Sequence, residues 1–339
     1  MKGRTTLARM KNAAVASGAK PPITVRLASP RGFCAGVERA IRTVEETLAR
    51  YGAPVYVRHE IVHNTHVVAR LTAATLHDRL SAMGAVFIEN LDAVPADRPE
   101  VFSAHGAPKA AHAEAASRNL VKIDATCPLV LKVHTQTRRH IAAGRKVVLI
   151  GHRGHPEVIG TMGQAPEGAV ILVENIADAA ALPAPEGPLA YATQTTLSVD
   201  ETRGILAALV ARFPEIAGPA KEDICYATSN RQQSVKAAAA GTDLFIVIGS
   251  PTSSNSVRLV ETAKAAGAKD AMLAEDAGAA DWARIEAAST IGLSAGASAP
   301  EILVEEFLTA LAARRTVTVE TVETVRETVS FKSPLLLAS

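Results

Sequence analysis

Apolar and polar residues alternate through ITVRLAS (23–29), the period of two that predicts a half-buried strand. The period then changes. Val37, Ile41, Val44 and Leu48 are spaced by four, three and four residues, which predicts a helix near 36–50 with one buried face. VYVRHEI returns to a strand pattern, followed by a helix near 66–82 and the strands AVFIEN and VFSAHG. An alanine-rich helix near 108–118 closes this stretch. The order then repeats. LVKIDAT leads into a helix beginning at Pro128, a favoured first helical residue, and ending near Ala143. The strands RKVVLIG, AVILVENI and LAYATQT follow, then a helix near 198–212. A third round starts at EDICYAT. It has a helix ending at Gly241, the strand DLFIVIGS, a helix near 256–266, the strands AMLAED and STIGLSAG, and the helix APEILVEEFLTALAARR.

Strands alternating with helices predict an α/β fold with parallel sheets under helical cover. The threefold recurrence sets the expected organisation: a basic extension over 1–22, α/β units over 23–118, 119–216 and 217–315, and a tail or lid over 316–339. The first 20 residues carry five basic side chains and no acidic one; sparse serine argues against an organelle presequence, and they read as a disordered extension or as a start placed early, with Met10 the true one. The tail VTVETVETVRETVSF alternates and is expected to add a strand or lid.

The only three cysteines mark the repeat. Cys34, Cys127 and Cys225 lie 93 and 98 residues apart, and each precedes a helix closed by a glycine, Gly52, Gly144 or Gly241. A polar residue ends the next strand of each unit: His63 stands 29 residues after Cys34, His155 28 after Cys127, and Asn255 30 after Cys225. Ligands of open α/β sheets gather outside the carboxyl ends of the strands. Three such edges facing one another would make one central site. A single free cysteine is most often a small buried hydrophobe, but three at one repeated position converge. A helix start also favours a thiolate. Structural zinc sites use paired spacings such as C-x2-C, and none is present. Three thiolates suit an iron–sulfur cluster with one iron left open.

His63, His105 and His155, with Ser253, Ser254, Asn255 and Ser298, form a lining rich in donors. Such a lining suits a phosphate or diphosphate. Glu157, two residues after His155 in HPE, is the candidate proton source; Thr195 and Gln194 in TQTT would relay or orient the proton. His59, His66, His77 and His152 are expected at the surface or behind the site.

Composition narrows the classes. A net charge of +2 and the lack of interleaved basic and aromatic residues argue against a nucleic-acid partner. No apolar run reaches the roughly 18 residues of a spanning helix, so no membrane partner is expected; three cysteines in a long chain with no signal peptide fit a reducing cytoplasm. No G-x-G-x-x-G opens a helix after a strand and no GxxxxGK[ST] is present, so electrons are expected from a protein or an external reductant.

Quoted together, PRGFCAGVERAI, EIVHN, SAHG, DATCPLV, GHRGHPEVIGTMGQ, ATQTTLSVDET, CYATSNRQQ, SSNS and SAGASAP resemble the 4-hydroxy-3-methylbut-2-enyl diphosphate reductase family of the non-mevalonate isoprenoid route, from about residue 23 to about 333. The resemblance implies three pseudo-threefold α/β units around a 4Fe–4S cluster held by Cys34, Cys127 and Cys225. It implies an allylic diphosphate substrate held by His63, His105, His155, Ser253, Ser254, Asn255 and Ser298. Glu157 would supply protons with Thr195 beside it. A ferredoxin or flavodoxin-type donor and a monomer or weak homodimer are the further expectations. SPTSSNS departs from the lysine-containing loop of that pattern, and Pro251 removes an N–H there. Two other classes fit three cysteines: a non-redox iron–sulfur hydro-lyase acting on a phosphorylated substrate, and an iron–sulfur redox sensor. Turnover without an electron donor would mark the first; a DNA-binding or output element would mark the second, and none is visible.

Overall fold

The computed structural model describes residues 20–63 and 76–334. The extension over 1–19, and with it His66 and the first part of the helix expected near 66–82, lies outside the described residues.

The chain runs β1 (Pro22–Ser29), α1 (Ala35–Tyr51), β2 (Val55–Arg58), α2 (Leu76–Ala82), β3 (Ala85–Ile88), β4 (Pro99–Phe102), α3 (Lys109–Ser117) and β5 (Val121–Asp124). It continues with α4 (Pro128–Ala142), β6 (Lys146–Ile150), α5 (Pro156–Met162), β7 (Val170–Val173), α6 (Ile176–Ala181), β8 (Leu189–Thr193) and α7 (Val199–Arg212). The last stretch is α8 (Tyr226–Ala239), β9 (Leu244–Ile248), α9 (Ser254–Ala265), β10 (Ala271–Ala274), α10 (Trp282–Glu286), β11 (Thr290–Ala295), α11 (Glu301–Arg314) and β12 (Thr316–Glu323). Gly52, Gly144 and Gly241 all take positive φ at the ends of the expected helices.

These strands form three parallel sheets, ordered β3-β2-β4-β5, β7-β6-β8 and β10-β9-β11-β1-β12. Each sheet carries apolar clusters on both faces. Val57 and Val101 pack with α1 on one side of the first sheet, while Phe102 packs with Ala111 and Ala115 of α3 on the other. The second sheet divides Val147 and Leu149 from Val148 and Ile150, and the third divides Ile246 from Phe245 and Val247. Burial on two faces accounts for the unbroken apolar run of β9, in which every residue is buried.

Strand membership differs from the order along the chain. β1, which opens the first unit in sequence, pairs with β11 and β12 in the sheet of the third. β5, which opens the second, pairs with β4 of the first. The stretch before Cys225 forms no strand; Ala217 makes one bridge to Ala190 of the second sheet. Hydrophobic periodicity fixes which face of a strand is buried but does not name its neighbour. The physical pattern is regular all the same. β1 and β5 place Cys34 and Cys127 each at the end of one sheet, and the helix after each cysteine covers another: α1 packs on β2 and β4, α4 on β6 and β8, and α8 on β1 and β11. Every cysteine therefore sits beside a helix that packs on a second sheet, and all three line one cavity. The tail supplies β12, an exposed edge strand, and its end returns across the molecule to bury Ser333.

One core position is costly. Glu100 on β4 is fully buried on the face that carries Phe102, and neither carboxyl oxygen has a hydrogen-bond partner among the described residues. Burial pushes its pKa up to about 7, against the pull of Arg58, Arg118 and Lys122. A folded-state pKa above the unfolded one means stability is fully present below about 4.5 and is lost as pH rises through about 7. Glu100→Gln is expected to remove that loss. Its denaturation midpoint should match the native chain's near pH 4.5 and exceed it at pH 8, by up to about 3 kcal/mol. A difference that does not change with pH would show that Glu100 titrates normally.

Candidate active site

Each cysteine is the residue immediately before a helix: Cys34 caps α1, Cys127 caps α4 and Cys225 caps α8. At α4 the Leu129 and Val130 backbone N–H groups favour the Cys127 thiolate. At α8 the geometry is explicit, with Thr228 N–H donating to Cys225 Sγ at 3.4 Å and Thr228 Oγ1 at 3.1 Å from the same sulfur. All three cysteines line a single cavity. The same cavity is lined by His63, His105, His155, Glu157, Thr195, Ser253, Ser254, Asn255 and Ser298, so the residues singled out in the sequence converge. A shallower hollow with His59, Glu60, Glu89, Pro156 and Thr252 meets it at His63 and His105. His77 and His152 line neither.

Glu157 occupies the first turn of α5, capped by His155, whose Nδ1 accepts the Glu157 N–H at 3.1 Å. The carboxyl group is buried, and both oxygens are held by one residue. Thr195 N–H donates to Oε1 at 2.6 Å and Thr195 Oγ1 to Oε2 at 3.0 Å. Burial pushes the Glu157 pKa up to about 7; the two Thr195 bonds oppose the shift and Asp223 adds to it. The group therefore holds a proton near neutral pH, the condition for a general acid. Gln194 is not part of this contact. Its side chain accepts from His152 N–H and donates to Thr196 and Ser254, tying β8 to α9.

The three histidines form one cluster, with ring centroids 4.1 Å apart for His63–His105, 5.2 Å for His63–His155 and 6.0 Å for His105–His155. Burial first, then the neighbouring rings, holds His105 well below its ordinary pKa and pushes His155 down to about 3. His63 Nε2, His155 Nε2 and Asn255 Nδ2 are buried without a partner among the described residues. Buried polar atoms are nearly always paired, so these point to a ligand with many acceptor oxygens. Asn255 is set by Ala297 N–H donating to its Oδ1 at 2.8 Å, and Ser298 Oγ donates to the His63 carbonyl at 2.8 Å. The SPTSSNS loop is built as a turn: Ser253 N–H donates to Ser250 O at 3.0 Å, and Ser253 then caps α9 through Ser256 N–H. Pro251 needs no N–H at that position.

Three thiols and the space beside them fit a multinuclear iron–sulfur group. Burial pushes Cys127 up to about 12 and Cys225 up to about 11, and the neighbouring thiols add to both shifts. Three thiols meeting in one cavity suit a metal-bearing partner. Among the described residues no group of three His, Cys, Asp or Glu side chains is placed to hold a single metal ion. Gly36 leaves room beside them: a Cβ there would meet Cys127 Sγ at 2.9 Å and Cys34 Sγ at 3.7 Å. Gly36, Thr196 and Thr228 also line the cavity and were not singled out from the sequence. Gly36 stands two residues after Cys34, and its spacing alone gave no sign of a contact with Cys127.

Three parallel sheets under helical cover, with one cavity lined by three thiols, three histidines and a buried carboxyl group, define an α/β enzyme. Residues 25–312 match the family described as LytB protein, and the chain belongs to that family. It is 60% identical over 320 residues to a protein of Hyphomonas neptunium named 4-hydroxy-3-methylbut-2-enyl diphosphate reductase, covering 94% of this chain and 99% of that one. A protein of Phenylobacterium zucineum with the same name is 59% identical over 320 residues, covering 94% and 99%. The fold is similar to that of the solved E-1-hydroxy-2-methyl-but-2-enyl-4-diphosphate reductase of Plasmodium falciparum, with a TM-score of 0.87 and 36% identity over 94% of this chain and 98% of that one. Among the described residues no helix is long and apolar enough to cross a membrane.

Proposed function

We propose that this chain reduces (E)-4-hydroxy-3-methylbut-2-enyl diphosphate. The allylic C–O bond breaks, two electrons and two protons enter, and water leaves with isopentenyl or dimethylallyl diphosphate as product. The observation that carries the reading is the meeting, in one cavity, of three helix-capping cysteines, a buried carboxyl group that keeps its proton to about pH 7, and three packed histidines. The names of relatives near 60% identity support it.

Cys34, Cys127 and Cys225 would hold a 4Fe–4S group. When bound, that group supplies electrons one at a time and an iron without a cysteine ligand. His63, His105 and His155, with Ser253, Ser254, Asn255 and Ser298, bind the diphosphate. Its charge draws protons onto the histidines, reversing the depression that burial imposes. Anchoring the substrate at this end leaves the hydroxyl to be oriented at the thiol end, where Glu157 delivers a proton to the departing oxygen. Thr195 fixes both carboxyl oxygens and so aims the proton. Electrons come from a ferredoxin or flavodoxin-type donor, and the working unit is a monomer or weak homodimer.

Protein purified without oxygen is expected to carry about four iron and four sulfide per chain. It should turn over the diphosphate only when a low-potential reductant is present. Turnover with no donor would replace this reading with a hydro-lyase. Cys127→Ser is expected to lose most of its iron and sulfide with the chain still folded; a full complement in that variant would remove Cys127 from the ligand set.

A further inference from the structure

Three long cationic side chains occupy matched places after the cysteines. Arg39 stands five residues after Cys34, Lys132 five after Cys127, and Arg231 six after Cys225. Helical side chains lean toward the helix N-terminus, so each can reach back to the seam where its own helix begins. Each does so, and each takes hold of the segment that leads into the next cysteine. Arg39 on α1 donates through one guanidinium nitrogen to the carbonyls of Ala125 (3.1 Å) and Thr126 (3.0 Å), the residues before Cys127. Lys132 on α4 donates to the carbonyls of Lys221 and Glu222, both at 2.7 Å, and to Asp223 Oδ1 at 3.1 Å, the residues before Cys225. Arg231 on α8 donates to the carbonyls of Gly32 (2.9 and 2.7 Å) and Phe33 (3.1 Å), the residues before Cys34. The circuit closes: first helix to second thiol, second helix to third, third helix to first.

We propose that Arg39, Lys132 and Arg231 are positioning residues, a closed ring of cationic clasps that locks the three thiols in register across the unit seams. Several observations require a specific arrangement here. The clasped carbonyls of Ala125, Thr126 and Gly32 are in buried hydrogen bonds between a sheet and a helix, where no ladder supplies a donor, and buried carbonyls need one; those of Lys221 and Glu222 are exposed, and there the buried acceptor is Asp223. Arg39 and Arg231 are themselves buried, so their charge is retained for the bonds it makes. Lys132 spends its three N–H donors on three acceptors. The C-terminal segment completes two of the three: Lys332 O accepts from Arg39 Nε at 2.8 Å, and Glu327 accepts from Arg231 at 3.0 Å. The third clasp has the carboxylate of Asp223 instead.

The ring's meaning for an iron–sulfur group rests on the reading under Proposed function; its hold on the thiols does not. The test is therefore run on metal-free protein, by site-resolved alkylation of the cysteines with iodoacetamide. Lys132→Met keeps the stem and removes the charge on a partly exposed side chain, so it is the variant expected to fold. It should speed modification of Cys225 by about tenfold relative to Cys34 in the same sample, the factor expected when hydrogen bonds to a charged group are lost. Lys132→Arg should restore the native rate in part. Arg39→Lys should displace the effect to Cys127 and Arg231→Lys to Cys34, each variant releasing the next cysteine in the circuit. Equal acceleration at all three cysteines, or none at Cys225 in folded Lys132→Met, overturns the proposal. Iron and sulfide content of the native chain is measured separately. Its absence would sink the cluster reading while the cysteine order still decides the clasps.

Discussion

Glu157→Gln is expected to retain its iron and sulfide and to lose turnover by roughly 100- to 10,000-fold, the usual contribution of a positioned acid or base. The substitution keeps the shape of the side chain. Its amide oxygen can still accept from Thr195 N–H, and Thr195 Oγ1 can turn from donor to acceptor for the new NH2 group. What disappears is the transferable proton. Burial holds that proton on Glu157 up to about pH 7, so native turnover should fall as pH rises through that value. The residual turnover of the variant should lack the same limb. Turnover within a few-fold of native at pH 7, with the cluster intact, would assign proton delivery to another group.

The position of Glu157 was legible because the GHRGHPE loop follows a strand and aligns with the other polar strand ends. Its partner was less so. Thr195 and Gln194 are adjacent, and only the structure separates the one that holds the carboxyl group from the one that ties β8 to α9. The cysteines were legible for a related reason: a helix start is a position sequence can locate, and the same start recurs three times. What the chain order hid is partnership across units. β1 alternates as a strand should, yet nothing in the alternation says that it pairs with β11, some 265 residues away. α5 is a single seven-residue helix with a glycine inside it, too short to leave a periodic signal. The same limit applied to Gly36, Arg39, Lys132 and Arg231. Each acts on a residue of another unit, and helical periodicity describes only the helix to which it belongs.

Gly36→Ala separates helix stability from thiol geometry, and it is expected to lower iron retention by roughly 10- to 100-fold, the range seen when the support around a metal site is disturbed. By propensity alone the change should help α1 by less than the roughly 1 kcal/mol by which alanine beats glycine in a helix interior, because Gly36 lies in the first turn. Gly36 has no positive φ to forbid a side chain. Sterics oppose it. The new methyl carbon would stand 2.9 Å from Cys127 Sγ and 3.6 Å from Cys127 Cβ, closer to the sulfur than non-bonded carbon and sulfur approach. Helix α1 belongs to the first unit and Cys127 to the seam with the second, so relief comes by moving the sulfur or spreading the seam. Metal sites tolerate about 0.2 Å in ligand distance, less than the shift this contact demands. With the propensity gain set against the clash, the metal-free variant should melt near the native temperature, while the iron-loaded variant loses iron faster to a chelator than the iron-loaded native chain. Native iron retention in Gly36→Ala would mean that the thiol moves freely, and that the packing of α1 against Cys127 does not set the geometry of the site.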